Sequence, residues 1–154
     1  MNTRILPALK KYLEEGLDVL LVGQAEGGDA VTPVRVFIGD LPPPEKGRKP
    51  FPCIILVPLG GHHEGGMETA TIALICCVYN PETGDAEGAE QDLARLMSDT
   101  GRALCFCRET PLQGRFILTP DSQGRLLPWE KTEMKPRPFT QAVMLSCWQM
   151  KGWE

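Results

Sequence analysis

The sequence predicts an α+β domain, a mainly antiparallel β-sheet with two α-helices packed on it. Three observations point there. Apolar residues recur at three- and four-residue steps in two stretches, one at the N-terminus and one in mid-chain. Around them stand apolar runs of strand length, two of which are joined by a hairpin-length connection. Clusters rich in Gly, Pro and Asp punctuate these segments.

The first helix is expected over residues 4–21, where Ile5, Leu6, Leu9, Leu13, Leu17, Leu20 and Leu21 share a face. Thr3 is the candidate N-cap, its hydroxyl able to accept from a free first-turn amide. Pro7 falls in or near the first turn, where a missing N–H matters least. Gly16 weakens the helix by about 1 kcal/mol relative to alanine, so bending or fraying is expected in its C-terminal half. Residues 23–30, Gly- and acid-rich, read as a loop, and Val34–Ile38 as a short strand. Consecutive prolines in Leu41-Pro42-Pro43-Pro44 make residues 39–52 a semi-rigid exposed loop.

Cys53–Leu59 is a continuous apolar run of strand length. Four glycines in the seven residues from Gly60 to Gly66 then predict a mobile hairpin-type loop carrying His62, His63 and Glu64. Met67–Asn80 is the longest strand candidate and belongs in the sheet centre, because Ile72–Val78 is apolar on both faces. A turn over residues 80–84 leads to Asp85, a candidate cap for a helix over residues 86–106. Ala89, Leu93, Leu96, Met97, Thr100, Ala103 and Leu104 line one face of that helix, with Gln91, Asp92, Arg95 and Asp99 mainly on the other. Phe116–Thr119 and Arg125–Trp129 flank a turn at residues 120–124. Phe139–Met150 alternates as the last long strand, with Phe139, Val143, Leu145 and Cys147 on one face and Ala142, Met144, Trp148 and Met150 on the other.

At 154 residues the chain is expected to form a single domain spanning residues 1–154. The net charge of −4 and the lack of a basic stripe argue against a DNA-wrapping role. No apolar run approaches the length that spans a bilayer, and Lys10, Lys11, Glu14 and Glu15 interrupt the N-terminal one, so neither membrane insertion nor export is expected. The six cysteines are therefore read as reduced, structural thiols. Cys76-Cys77 and Cys105-Phe106-Cys107 also lack the two-residue gap of zinc knuckles.

Catalytic constellations are sparse. His62 and His63 are adjacent, so on an extended chain they point apart and chelate poorly; a metal site would need Cys53 or Glu64 in addition. A cysteine meeting either histidine could form a nucleophile pair, but no local signature supports one. Glu14-Glu15 and Glu130/Glu133 read as surface carboxylates. No P-loop and no dinucleotide fingerprint are present. Trp129, Trp148 and Trp153 read as core or subunit packing rather than as a base-stacking platform. No catalytic, cofactor-binding or metal-ligating residue is assigned.

The order of elements resembles a family of bacteriophage and prophage tail proteins with the tail-terminator-like fold. The resemblance runs over nearly the whole chain: the amphipathic helix Ile5–Leu21, Gly39-Asp40-Leu41-Pro42, the strand Phe51-Pro52-Cys53-Ile54-Ile55-Leu56, and a Gly/acid loop before the strand Thr71–Tyr79. Asp92-Leu93-Ala94-Arg95-Leu96, Leu127-Pro128-Trp129-Glu130 and the final strand Phe139–Trp148 complete it. It implies a non-enzymatic structural protein without a cofactor. Such a protein forms a ring with itself, commonly of about six subunits, through an interface that closes by rotation. The ring caps the tail tube, ends its polymerisation and meets a head-completion or connector protein. The implied location is the host bacterial cytoplasm during assembly, then the virion tail. The alternatives are another head–tail connector or minor tail component, a cytosolic binding module, and a metal- or thiol-dependent enzyme. No nucleic-acid specificity is expected. Two loops are the candidate protein contacts: Asp40, Leu41, Pro42, Pro43 and Pro44 in one, and His62, His63, Glu64, Gly65 and Gly66 in the other.

Overall fold

A computed structural model describes residues 4–18, 20–22, 31–40, 52–79, 87–132 and 139–151. Helix α1 spans Ile5–Gly16 and buries Ile5, Ala8, Leu9 and Leu13. It stops five residues short of the predicted end. Leu17 turns extended (ψ 122°) while its N–H still reaches the Leu13 carbonyl at 3.0 Å. Glycine lowers helix propensity here, and the chain beyond it finds a strand partner instead. Strand β1 (Leu20–Val22) pairs antiparallel with β2 (Val31–Pro33), a small ribbon that hydrophobic periodicity alone did not separate from the helix. The Thr3 and Asp85 caps lie outside the described residues.

Six further strands form one sheet. They are β3 (Arg35–Ile38), β4 (Cys53–Glu64), β5 (Met67–Tyr79), β6 (Phe116–Thr119), β7 (Trp129–Lys131) and β8 (Phe139–Lys151). The spatial order is β3-β4-β5-β8-β6, with β7 also on β8. Only β3 with β4 is parallel; the other pairs are antiparallel. The two longest strands, β5 and β8, pair along their whole length from Met67↔Lys151 to Tyr79↔Phe139. The apolar run of β5 thus occupies the sheet centre, as its composition requires.

The second of the two short strands flanking the predicted turn starts at Trp129 rather than at Arg125, so β6 and β7 stand farther apart than expected. They do not pair with each other. Both lie antiparallel on the same edge of β8, Thr119 opposite Cys147 and Trp129 opposite Met144. They are two pieces of one edge strand, with residues 120–128 looped out between them. Arg125 and its neighbours stay outside β7 because Asp121 holds them in a turn. Its carboxylate accepts the backbone N–H groups of Gln123 and Arg125 at 2.9 and 2.8 Å.

Helix α2 (Glu87–Cys105) runs into a short 3₁₀ turn, Phe106–Arg108. Leu93, Leu96, Met97 and Leu104 join α1 and the even-numbered side of the sheet in the main core. There Ile54, Leu56, Ile72, Leu74 and Trp148 are almost fully buried. Each such aliphatic side chain contributes about 2 kcal/mol relative to exposure. The Tyr12 hydroxyl donates to the Ala103 carbonyl at 2.6 Å and ties the two helices together. Asp92, expected on the outer face of α2, is instead buried, 4.0 Å from Arg95. Fully buried Thr100 brings its hydroxyl into this core without a hydrogen-bond partner among the described residues.

Candidate functional site

The β4–β5 ribbon carries the second predicted contact region. Residues 60–64 do not form a loop. They continue β4, with His62 opposite Thr69, His63 opposite Glu68 and Glu64 opposite Met67. The connection shrinks to Gly65-Gly66, both at positive φ (+56° and +80°). A two-residue turn of that kind matches the twist of its strands and favours glycine at both central positions. Counting glycines therefore overestimated the loop, because backbone pairing captured all but two of its residues.

A bulge between Pro58 and Gly60 lets Leu59 protrude, 57% exposed. Past the bulge, Gly61 passes close to its neighbour. A Cβ there would lie 2.2 Å from the Thr69 carbonyl oxygen. The side chain of His62 meets the Thr69 hydroxyl at 2.8 Å on the helix-free face, and His63 occupies the alternate position. Among the described residues no three His, Cys, Asp or Glu side chains come together as metal ligands.

The first contact region is described only at Asp40, which is exposed; Leu41, Pro42, Pro43 and Pro44 lie outside the described residues. Its position is informative nonetheless. Because β3 runs parallel to β4, Asp40 follows Ile38, which stands opposite Leu56, and the Gly39 N–H donates to the Leu56 carbonyl at 2.8 Å. Asp40 and the far end of the hairpin thus belong to the same end of the sheet.

No described helix packs on the odd-numbered face of the sheet. Its centre is apolar: Phe37, Ile55, Val57 and Ile75 cluster with Cys53 and Cys77. Cys53 stands directly opposite Cys77, whose thiol donates to Gln141 Oε1 at 3.8 Å. The hydrogen bond with Cys77, then burial, pushes the Cys53 thiol well above its ordinary range. Burial does the same for Cys76 on the core face. These thiols are held neutral, the opposite of what a nucleophile needs. All six cysteines are free, and Cys105 alone among them is classed as exposed. Farther along the same face, a trough of about 620 Å³ runs between the bulged hairpin and the 120–122 turn, floored by Thr69, Thr71, Leu145, Cys147 and Gln149.

Sequence reasoning missed the exposed apolar side chains. Ile38, Leu59, Phe106 and Trp129 are 42%, 57%, 68% and 60% exposed. Of the tryptophans read as packing residues, Trp148 is in the core, Trp129 is on the surface and Trp153 lies outside the described residues. The available signal was local: Trp129 sits between Pro128 and Glu130, and Phe106 between two cysteines beside Arg108, neither within an apolar period. Compared with models of known protein families and with curated proteins, the chain matches none.

Proposed function

We propose that this chain is a structural tail-assembly protein of a long-tailed bacteriophage or prophage. It closes into a ring, caps the tail tube, ends its polymerisation and contributes a surface for head–tail joining. The observation that carries the reading is a sheet whose two outer edges, β3 and β7, have no strand partner among the described residues and carry the exposed apolar side chains Ile38 and Trp129. The order of elements, helix, strands, helix, long strand, supports the same reading, as do the exposed apolar side chains at the sheet margins. In this reading the chain is not an enzyme. The tube and the connector meet the end of the sheet that carries Asp40 and the Gly65-Gly66 turn.

The test is the solution mass by light scattering across a concentration series, with negative-stain imaging, alone and with the tail tube protein of the same phage. A discrete species of about six chains, or ring density at one end of length-limited tubes, is the expected result. Monomers at every concentration together with uncapped tubes would sink the reading.

A further inference from the structure

We infer that copies of this chain join edge to edge through their main sheets, the outer edge of β3 in one copy pairing antiparallel with the outer edge of β7 in the next. The inference rests on the ring reading and names the surface that makes the ring.

The two edges are matched in their backbone groups. The Arg35 N–H donates inward to the Pro52 carbonyl, and Gly39 to Leu56. Strand groups alternate in direction, so the N–H and C=O of Val36 and Ile38 face outward. On the other edge the Leu145 N–H donates to the Pro128 carbonyl, and Glu130 stands opposite Val143. The outward groups there belong to Trp129 and Lys131. Among the described residues no strand pairs with either outer edge.

Strand direction agrees as well. In the order β3-β4-β5-β8-β7, β3 and β7 run opposite ways. Extending the sheet from one copy to the next, helices kept on one side, therefore gives an antiparallel junction. One register uses every outward group: Val36 opposite Lys131 and Ile38 opposite Trp129. Glu130 then falls opposite Phe37.

The side chains fit that register. Ile38 and Trp129, two of the four large apolar residues exposed among the described residues, meet on the helix side of the sheet. On the open side, Arg35 lies over the Phe37 ring at 5.1 Å from its centroid. Glu130 arrives opposite that ring, diagonal to Arg35, within reach for long side chains. Both charges are exposed, and neither makes an ion pair among the described residues. Because the joined edges differ, the contact is heterologous and propagates from copy to copy until rotation closes it. An unprotected edge strand is otherwise a liability, and pairing removes it.

Reversing one charge tests the junction on the full chain. Arg35→Glu and Glu130→Arg should each raise the assembly midpoint concentration by at least about tenfold. The double variant Arg35→Glu/Glu130→Arg should bring it back to within about threefold of wild type. Ile38→Pro is the fold-neutral companion. Proline is tolerated on an edge whose N–H faces out, so the circular dichroism and melting of the monomer should be unchanged while rings are lost. Rings that persist in both single charge variants and in Ile38→Pro overturn the junction and leave the ring reading standing. No ring from the wild type, alone or on tubes, overturns both.

Discussion

The indole N–H of Trp148 donates to the Ser146 hydroxyl at 2.8 Å, in the fully buried middle of the core. The Ser146 hydroxyl in turn donates to the Ile72 carbonyl at 2.8 Å. One serine thus satisfies a buried donor and a buried acceptor at once. Ser146→Ala should leave the buried indole N–H without its acceptor and lower the unfolding free energy by about 1–3 kcal/mol, read from urea denaturation. An unchanged midpoint would mean that the indole N–H finds water or another partner.

The hairpin offers a comparison between neighbours. At Gly61 an added Cβ meets the Thr69 carbonyl oxygen, whereas at Gly60 nothing lies within 4 Å. Gly61→Ala should therefore force the strands apart past the bulge and cost about 1–3 kcal/mol. Gly60→Ala should change stability by less than about 0.5 kcal/mol. Thermal melts of the two variants, side by side, check this. Equal effects would place the tight approach elsewhere.

The turn beyond it makes a separate claim. Gly65 and Gly66 both hold positive φ. Asparagine tolerates that conformation better than alanine does. Gly65→Asn should match or exceed wild-type stability, and Gly65→Ala should lose about 1 kcal/mol. The inverse order in chemical denaturation would contradict the turn assignment.

These particulars show what was legible beforehand. The long alternating strand ending at Met150 and the doubly apolar strand through Ile72–Val78 were readable because burial on one or both faces imposes a period. The end of α1 at Gly16 was harder, since Leu17, Leu20 and Leu21 keep the helical spacing although the chain has turned to β. The 60–64 segment was misread because glycines in an antiparallel ribbon cost conformational entropy yet still pair. Residues 120–124 read as a turn between two short strands in sequence, but β8 is long enough to hold both of those strands on one edge. The edge residues of the candidate interface were not legible at all. Ile38 and Trp129 acquire meaning only from which strands end the sheet, a fact of tertiary pairing.

Thiol chemistry separates surface from core. Cys105 is exposed, while Cys53, Cys76, Cys77 and Cys107 are buried. An aromatic disulfide reagent at neutral pH should label Cys105 promptly and reach those four only after unfolding. Peptide mapping of the labelled protein checks the order. Fast labelling of Cys53 would show that the open face breathes.

Alkaline pH should unfold the protein earlier than acid–base titration of ordinary surface groups would. Cys53 is held protonated by its hydrogen bond with Cys77 and by burial, against a smaller opposing pull from Arg35. Burial raises Cys76 and Cys107 as well. Burial first, then Cys107, pushes the Tyr12 hydroxyl up to about 12. In each case the folded state keeps the proton and the unfolded state releases it more readily. The stabilisation is complete below the unfolded thiol value of about 8.5 and is lost as pH climbs above it. Each thiol then withdraws up to about 1.4 kcal/mol per pH unit. Urea midpoints measured from pH 7 to pH 10.5 should be level at first and fall beyond about pH 8.5. Cys53→Ala should flatten part of that fall even though it lowers stability at pH 7. A wild-type profile that stays level to pH 10.5 would mean that these thiols titrate alike in the folded and unfolded chain.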